Sequence, residues 1–380
     1  MIVWALYVGL LAGDVVITHW DEFFGRQDCN FVTARTWYQW LVTLGYRKPK
    51  PHFVRIVTVN PPPDPCDYRQ LLADQVSKVG DLQPIMVVLD YSFSPHPKCV
   101  KETISLQRAI DAVAAHAPVV FGIRSQTYED LESNKSELAK LQHEGFGPDD
   151  QVILQSDIKA DGVHTISALY RLDCDSRRVP VDWPVFEEKD GKWVRAKDPI
   201  STIAFAAAAV YEPSLKDDPR LKGPDNPFTG FIEEDRFQPV DSAQVTSGDP
   251  AAQRVLRRIV VLGDAQQDPH YTVVGHVPGV VLQANYIESL LDERYFKGIG
   301  FVSGTIATLV CIGLIITIFE KTASVRVALF RSGFFLLTLM FVSYIALLHF
   351  GRLFTFWVPA VGAVIPALLD KARLTTGGPT

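Results

Sequence analysis

The sequence predicts an α/β extracytoplasmic domain with a mainly parallel or mixed sheet, joined to a bundle of about four transmembrane helices. In the first part of the chain, short apolar runs alternate with stretches of helical periodicity. In the last quarter, three apolar segments follow one another at residues 298–319, 327–349 and 353–369. Each can span or nearly span a hydrocarbon core about 30 Å thick, because a helix rises about 1.5 Å per residue.

Residues 2–20 are a fourth apolar stretch, which predicts an N-terminal transmembrane helix over residues 1–20. Asp14 would lie toward the outer end of this helix, where a charge is less costly than at the bilayer centre. No basic residue precedes the stretch, although a signal peptide normally begins with one. A cleaved signal peptide is the alternative, and it would also export the residues that follow.

The basic residues orient these helices in the membrane. The connection at residues 320–331 and the C-terminal tail together carry five, whereas the other short loop carries Arg352 alone. Because basic loops stay in the cytoplasm, we expect the first connection and the tail at residues 372–380 to be cytoplasmic. Residues 21–297 are then extracytoplasmic, and residues 298–371 contain the closing spans of a multi-pass protein of the plasma or inner membrane.

The predicted outer domain is acidic. The whole chain has a net charge of −6, and the residues from 298 onward carry six basic and two acidic side chains. The first 297 residues therefore carry about −10. An acidic surface argues against nucleic acid or anionic lipid as the partner of this domain.

Short apolar runs rich in β-branched residues predict buried strands, and two stretches between them predict helices. The predicted strands are residues 54–59, 85–90, 119–124 and 258–262, and the predicted helices are residues 68–79 and 105–115. Strands that alternate with helices pair in parallel through right-handed crossovers.

Three further segments complete the predicted outer domain. In residues 163–171 the side chains of Ile166, Ala168 and Tyr170 alternate with those of Thr165, Ser167 and Leu169, which predicts a strand added antiparallel to the sheet. Residues 201–210 predict an alanine-rich helix that packs closely on the sheet. Residues 211–249, rich in Pro, Asp and Gly, predict a long connection.

The cysteines predict disulfides outside the membrane. Cys29, Cys66, Cys99 and Cys174 lie in the predicted outer domain, whereas Cys311 lies in a span. Four cysteines allow two disulfides in three pairings. Cys66 and Cys99 each lie six residues beyond a strand end, so adjacent parallel strands would bring them together at one sheet edge. We expect this pair, with Cys29 and Cys174 as the second, and buried free thiols are the alternative.

The strand ends predict where a ligand binds, because ligands of open α/β sheets bind outside the carboxyl ends of the strands. The candidate residues are Asn60 after the first strand, Asp90 and Tyr91 after the second, Arg124 after the third, Asp264 after the last, and Asp268 in the loop that follows. The alternative is structural: Asp90 or Asp264 caps a helix or holds a turn, and Arg124 pairs with one of them.

No catalytic residue, cofactor or metal is expected. No G-x-S-x-G elbow surrounds Ser94. Asp268, His270 and His276 have side chains that can bind a metal, but they are spaced along a predicted loop. Solvated histidines near a Pro-Gly turn are the simpler interpretation.

The residues after Pro278-Gly279 predict a helix that leads toward the membrane. Its apolar face contains Val280, Ala284, Ile287 and Leu291. We expect this helix to pack on the sheet through Val281, Ala284 and Leu291, and to end within a few residues of the first closing span. A rigid helix in this position can relay a conformational change.

The same region carries a compact motif: an apolar strand ending in glycine, a loop with Asp, a Pro-Gly-Val turn and an Ala-Asn helix. Its residues are Gly263, Asp268, Pro278, Gly279, Val280, Ala284 and Asn285. This motif resembles the second class of CHASE domains, the extracellular sensory modules associated with cyclases and histidine kinases. Residues 87–94 and 161–163 resemble two shorter motifs of that family, and the arrangement of spans around the outer domain is similar over about residues 20–370.

The resemblance implies an extracytoplasmic sensor in which Pro278, Gly279, Ala284 and Asn285 belong to the relay. Related proteins often carry a kinase or cyclase after the last span, whereas about ten residues follow it here. We therefore expect a sensor that binds a small molecule or protein outside and signals to a separate partner. The alternative is a structural or accessory subunit of a membrane complex, and a homodimer is compatible with either.

Overall fold

A computed structural model describes most of the chain after residue 49. The described residues are 50–123, 125–147, 150–154, 156–158, 164–165, 181–189, 191–222, 228–229, 232, 234–255, 257–264, 269–272, 275–293, 295–298, 301–350, 352–353, 364 and 367–368. The chain divides into two compact units, Tyr46–Tyr295 and a second that comprises Met1–Gly45 and Phe296–Thr380. The predicted helix at residues 1–20, Cys29 and Cys174 lie outside the described residues.

The first unit alternates strands and helices. In chain order its elements are β1 (Val54–Val59), α1 (Pro65–Asp81), β2 (Met86–Ser92), α2 (Val100–Ala114), β3 (Val119–Gly122), β4 (Ser125–Thr127), α3 (Tyr128–Leu131), α4 (Lys135–His143), β5 (Gln151–Ile153), β6 (His164–Thr165), β7 (Asp182–Trp183), β8 (Val185–Lys189), β9 (Lys192–Arg195), β10 (Ile200–Ser201), α5 (Ile203–Tyr211), β11 (Phe228–Thr229), α6 (Glu234–Phe237), β12 (Val240–Asp241), α7 (Ser242–Ser247), β13 (Ile259–Asp264), β14 (Pro269–Thr272), β15 (Gly275–Pro278) and α8 (Gly279–Leu291). Short 3-10 helices at Pro213–Asp217 and Pro250–Val255 add to these.

A six-stranded parallel sheet with the order β12-β1-β13-β2-β3-β6 is the centre of this unit. Both of its faces are covered. One core contains Ile56, Val88 and Val261 together with α5 and α8, and the other contains Val57, Leu89 and Leu262 together with α1 and α2. Burial on both faces explains why these strands are continuous apolar runs in the sequence.

The predicted α/β class and the predicted parallel strands are confirmed. The first and last residues of each predicted strand differ from those of the observed strand by at most two positions, and the first predicted strand is identical to β1, Val54–Val59. The helices begin earlier than their apolar periodicity indicates. In α1 the Asp64 side chain accepts hydrogen bonds from the backbone N–H groups of Cys66 and Asp67, at 2.7 and 3.2 Å, and so fixes the start.

Two predictions about this sheet are wrong. Of residues 163–171, His164 and Thr165 are described, and they pair with β3 in parallel rather than antiparallel. The two strands that precede Cys66 and Cys99 are not adjacent, because β13 pairs with both β1 and β2 and lies between them. Residues 211–249 also contain more structure than a connection, since β12 within them pairs with β1.

A second, mixed sheet was not predicted. It has the order β4-β5-β8-β9, with one parallel and two antiparallel pairings. Its small core joins α3 and α4 to the sheet through Leu131, Leu141, Val152 and Phe186. The strands are three to five residues long, too short for a clear alternating pattern.

The second unit contains α9 (Phe301–Lys321) and α10 (Val325–Phe350), joined by three residues. Both are long and apolar enough to cross a membrane, over Ser303–Lys321 and Val325–Val342. They pack on each other through Cys311, Ile315, Phe319 and Ala328. β16 (Tyr295–Gly298) pairs with β17 (Arg352–Leu353), and most of the third predicted span, residues 353–369, lies outside the described residues.

Candidate functional site

The carboxyl edge of the large sheet brings together four of the six predicted ligand-binding residues. β13 lies between β1 and β2, and Val59 is paired with Asp264. Asn60 follows β1 directly and is exposed, whereas Asp90, Tyr91 and Asp264 are half-buried at the ends of their strands. Arg124 and Asp268 lie outside the described residues. The edge therefore presents two carboxylates, an amide and a phenol within the width of three strands.

The start of α8 lies against the same edge because Gly263 has no side chain. A Cβ at Gly263 would be 2.5 Å from the Cβ of Val280 and 3.3 Å from the Cβ of Asp90. Such a contact is closer than real side chains allow, so glycine permits the first turn of α8 to approach β13. The predicted Pro278-Gly279-Val280 turn is thereby fixed beside Asp90.

Replacing Gly263 with alanine is expected to lower the free energy of unfolding by about 2 kcal/mol, because the new methyl group forces α8 away from β13. Chemical denaturation of the full chain in detergent, followed by circular dichroism, measures this change. Gly147→Ala is the control, since the atom nearest to a Cβ there is 3.8 Å away. Equal midpoints for the two variants would contradict the close approach of α8.

Two tyrosines lie beside the acids. The rings of Tyr68, on α1, and Tyr91, on β2, meet edge to face with centroids 5.5 Å apart. Burial raises the pKa of both phenols. The interaction with Tyr68 raises the pKa of Tyr91 further, whereas the hydrogen bond with Tyr91 lowers that of Tyr68, and the carboxylates of Asp90 and Asp264 raise both. The hydroxyl of Tyr91 is buried, and the phenol of Tyr68 is its polar neighbour. Both phenols are therefore neutral at physiological pH.

A buried arginine holds the loop after β2 against α1. Arg69 is 7% exposed and donates to the carboxylate of Asp157 at 2.7 Å, to the hydroxyl of Thr103 and to the carbonyl of Ser94. Asp157 also accepts from the backbone N–H of His96 at 2.8 Å. Sequence reasoning missed this network, because Arg69 belongs to a helix whose other charged residues are exposed.

Cys66 and Cys99 form the predicted disulfide, with their Cα atoms 4.9 Å apart. It joins the start of α1 to the start of α2 at the carboxyl edge of the sheet. The imidazole Nδ1 of His96 lies 2.9 Å from Sγ of Cys99. These three side chains could hold a metal by position, but the disulfide occupies both sulfurs.

The predicted relay residues belong to α8, which is buried from Val280 to Leu290. Pro278 is the N-cap of α8 and Gly279 its first residue, and Ala284 and Asn285 are completely buried. The side-chain oxygen of Asn285 accepts from the backbone N–H of Ile232 at 2.6 Å, and its amide donates to the carbonyls of Ile232 and Val281. The expected packing of Val281 and Ala284 on the sheet is confirmed, and Leu291 is half-buried against the same core.

Glu288 is the buried residue of α8 that sequence reasoning missed. Its carboxylate accepts from the backbone N–H groups of His52, Phe53 and Val54, the last at 2.8 Å. The interaction joins the end of α8 to the start of β1. Glu288 is the one charged residue between Gly279 and Leu291, and this was the available signal, since a buried acid needs a partner.

The predicted loop around the candidate metal ligands is a hairpin. β14 and β15 pair antiparallel, with His270 opposite Val277 and His276 opposite Tyr271. The two histidines are thus not directly opposite each other. The remaining candidate, Asp268, lies outside the described residues.

A separate cleft lies on the α5 side of the sheet. Its volume is about 420 Å³, and Asp182, Ser201, Phe205, Lys216 and Lys222 are among its lining residues. Asp182 is exposed, and the partial loss of water around its carboxylate raises its pKa, while a hydrogen bond from Ser201 opposes the shift. The cleft is open and its polar groups belong to short surface elements, so it is a weaker candidate than the carboxyl edge.

No family model, curated protein or solved structure matches this chain.

Proposed function

We propose that this protein is a membrane-anchored sensor. Its first unit binds a small molecule at the carboxyl edge of the large sheet and relays the signal through α8 to the membrane helices, which pass it to a partner protein. The convergence of Asn60, Asp90, Tyr91 and Asp264 beside the start of α8 carries this proposal. Because the edge offers two carboxylates and the exposed amide of Asn60, a ligand with a positive charge or several hydrogen-bond donors suits it best.

The position of α8 supports its role as the relay. Val280 in its first turn packs at Gly263, close to the carboxyl end of the sheet, whereas Glu288 in its last turn binds the backbone at the start of β1. The helix therefore crosses the sheet from the candidate site to the opposite edge. The chain then continues from Leu291 to Phe301, where α9 begins, within ten residues.

The apolar surfaces of α9 and α10 support a membrane location. Of the residues in their two apolar windows, 28% and 11% are buried within the protein. Phe330, Phe334 and Leu337 are among the large side chains that face outward, and Phe330 is 76% exposed. Helices of a soluble core bury such residues, so lipid is the natural solvent for these two.

The resemblance to the second class of CHASE domains belongs to the proposal, as does the topology with the first unit outside and residues 372–380 in the cytoplasm. Gly263 and Val280 of the resembling motif meet where α8 packs on β13, and Ala284 and Asn285 follow as buried residues of the same helix. The basic residues Lys321, Arg326 and Arg331 cluster near the short turn between α9 and α10. This cluster supports a cytoplasmic turn.

Ligand binding is tested with the full chain in lipid nanodiscs, by a thermal-shift screen of organic amines and polyhydroxylated compounds. We expect at least one compound to raise the unfolding temperature in a concentration-dependent way, because a ligand that binds the native state stabilises it. The double variant Asp90→Asn/Asp264→Asn should lose this response. Asp198→Asn, an exposed acid elsewhere, should keep it. A screen without hits, or an edge variant that responds like the wild type, contradicts binding at this edge.

Signalling is tested by crosslinking the protein in its native membrane and identifying its neighbours by mass spectrometry. A kinase, cyclase or response protein among them supports the sensor. Recovery of structural envelope proteins alone favours the alternative, an accessory subunit whose outer unit binds another protein.

A further inference from the structure

The surroundings of the Cys66–Cys99 disulfide are those of a reactive sulfur site. Cys66 is the second residue of α1, which has 17 residues, and Cys99 is the N-cap of α2, which has 15. The partial positive charge at a helix N-terminus stabilises a thiolate. His96 Nδ1 lies 2.9 Å from Cys99 Sγ, and the tautomer that carries its proton on Nδ1 can donate to that thiolate.

The two sulfurs differ in their exposure to solvent and in the polar groups that surround them. Cys66 is half-buried and reachable from solvent, whereas Cys99 is completely buried. The carboxylate of Asp64, which caps α1, accepts from the N–H of Cys66 and opposes a negative charge on that sulfur. Cys99 has His96 beside it instead. Attack at Cys66 with departure of Cys99 is therefore the favoured direction, because exchange is fastest when the leaving thiolate is stabilised.

We propose that the Cys66–Cys99 disulfide is a reversible redox site that exchanges with the dithiol of a partner protein. A thiolate of the partner attacks Sγ of Cys66, the Cys66–Cys99 bond breaks, and a mixed disulfide forms at Cys66. Cys99 leaves as a thiolate that accepts a hydrogen bond from His96 and takes up a proton. The second partner thiol then loses its proton, attacks the partner's own sulfur and releases Cys66 as a thiolate, which also takes up a proton. The partner dithiol is oxidised to a disulfide, and two electrons and two protons reach this protein.

The neighbouring contacts hold the histidine in position. The backbone N–H of His96 donates to Asp157 at 2.8 Å, and Arg69 binds the same carboxylate at 2.7 Å. A partly buried ion pair thus anchors the backbone of His96 beside Cys99. Reduction would also cut the covalent link between α1 and the loop after β2, which borders the Tyr68–Tyr91 pair.

The rate of reduction tests the proposal in the full chain in nanodiscs. Dithiothreitol is the probe, and samples are quenched with acid, alkylated and analysed by peptide mass spectrometry, which reports each cysteine separately. We expect Cys66–Cys99 in the folded protein to be reduced at least as fast as in the chain unfolded by guanidinium. Reduction of the folded protein slower by about a hundredfold or more would show an inert structural bridge and overturn the proposal.

Two sets of variants test the mechanism. His96→Gln should slow the reduction about tenfold at neutral pH, whereas His116→Gln, at an exposed position after α2, should leave the rate unchanged. In the variant Cys99→Ser, Cys66 is a free thiol and should form a mixed disulfide rapidly with dithiobisnitrobenzoate. In the variant Cys66→Ser, the free thiol of Cys99 should react with the same reagent about tenfold more slowly. The proposal is overturned if His96→Gln and His116→Gln are reduced at the same rate and the two cysteine variants also react at the same rate. If a cysteine variant does not fold, the rate at which the wild-type disulfide is reduced decides whether the proposal stands.

Discussion

Replacing Ala284 with aspartate is expected to lower the free energy of unfolding of the unit Tyr46–Tyr295 by about 5 kcal/mol, enough to unfold many domains. Ala284 is 0% exposed and belongs to the core that α8 shares with α5 and the large sheet. A carboxylate there would lose its hydration without gaining a partner, and its volume would push the helix outward. Urea unfolding of the full chain in detergent, followed by near-ultraviolet circular dichroism, measures the change.

Ala139→Asp is the matched control, because Ala139 has the same side chain on an exposed face of α4. It should lower the free energy of unfolding by less than about 0.5 kcal/mol. Wild-type stability of Ala284→Asp would mean that α8 is not docked on the sheet, and the proposed relay would lose its basis.

Replacing Glu288 with alanine is expected to lower the free energy of unfolding by about 4 kcal/mol. Glu288 is 0% exposed, and its carboxylate accepts from three consecutive backbone N–H groups, those of His52, Phe53 and Val54. Removing an acceptor from buried donors costs about 1–3 kcal/mol for each donor that finds no water. The start of β1 would loosen together with the end of α8.

Glu288→Gln refines this second prediction. The amide keeps one oxygen acceptor but places an NH₂ group toward backbone donors, so its expected loss is about half that of alanine. Glu188→Ala is the control, because Glu188 is an exposed residue of β8, and it should leave the free energy of unfolding almost unchanged. Amide hydrogen exchange at Phe53 and Val54 reports the local change directly, and unchanged protection in Glu288→Ala would contradict the role of this carboxylate.

The large sheet could be predicted because its information is local. Strands buried on both faces are short apolar runs, and the helices between them show their periodicity, so residues 54–59, 85–90 and 119–124 could be recognised one at a time. The position of the candidate site at the carboxyl edge followed from a general rule about strand ends. Cys66 and Cys99 were paired correctly for the same reason, since both loops emerge at that edge.

The neighbours of each element could not be predicted, because they depend on contacts between distant residues. Nothing in residues 259–264 indicates that this strand lies between β1 and β2. The partners of Arg69 and Glu288 are a carboxylate and a backbone segment that are far away along the chain. The strands of the mixed sheet are short, and tertiary packing rather than local pattern determines them.

The position of β13 has a consequence for biosynthesis. A ribosome delivers β1, α1, β2, α2 and β3 before β13, yet β1 and β2 have no direct pairing with each other and meet through β13. A nascent chain therefore exposes two apolar strands with open edges until residues 259–264 have emerged. Such late closure slows folding and invites association between unfinished chains. We therefore expect the nascent chain to depend on chaperones until β13 has emerged, shortly before the ribosome reaches α9.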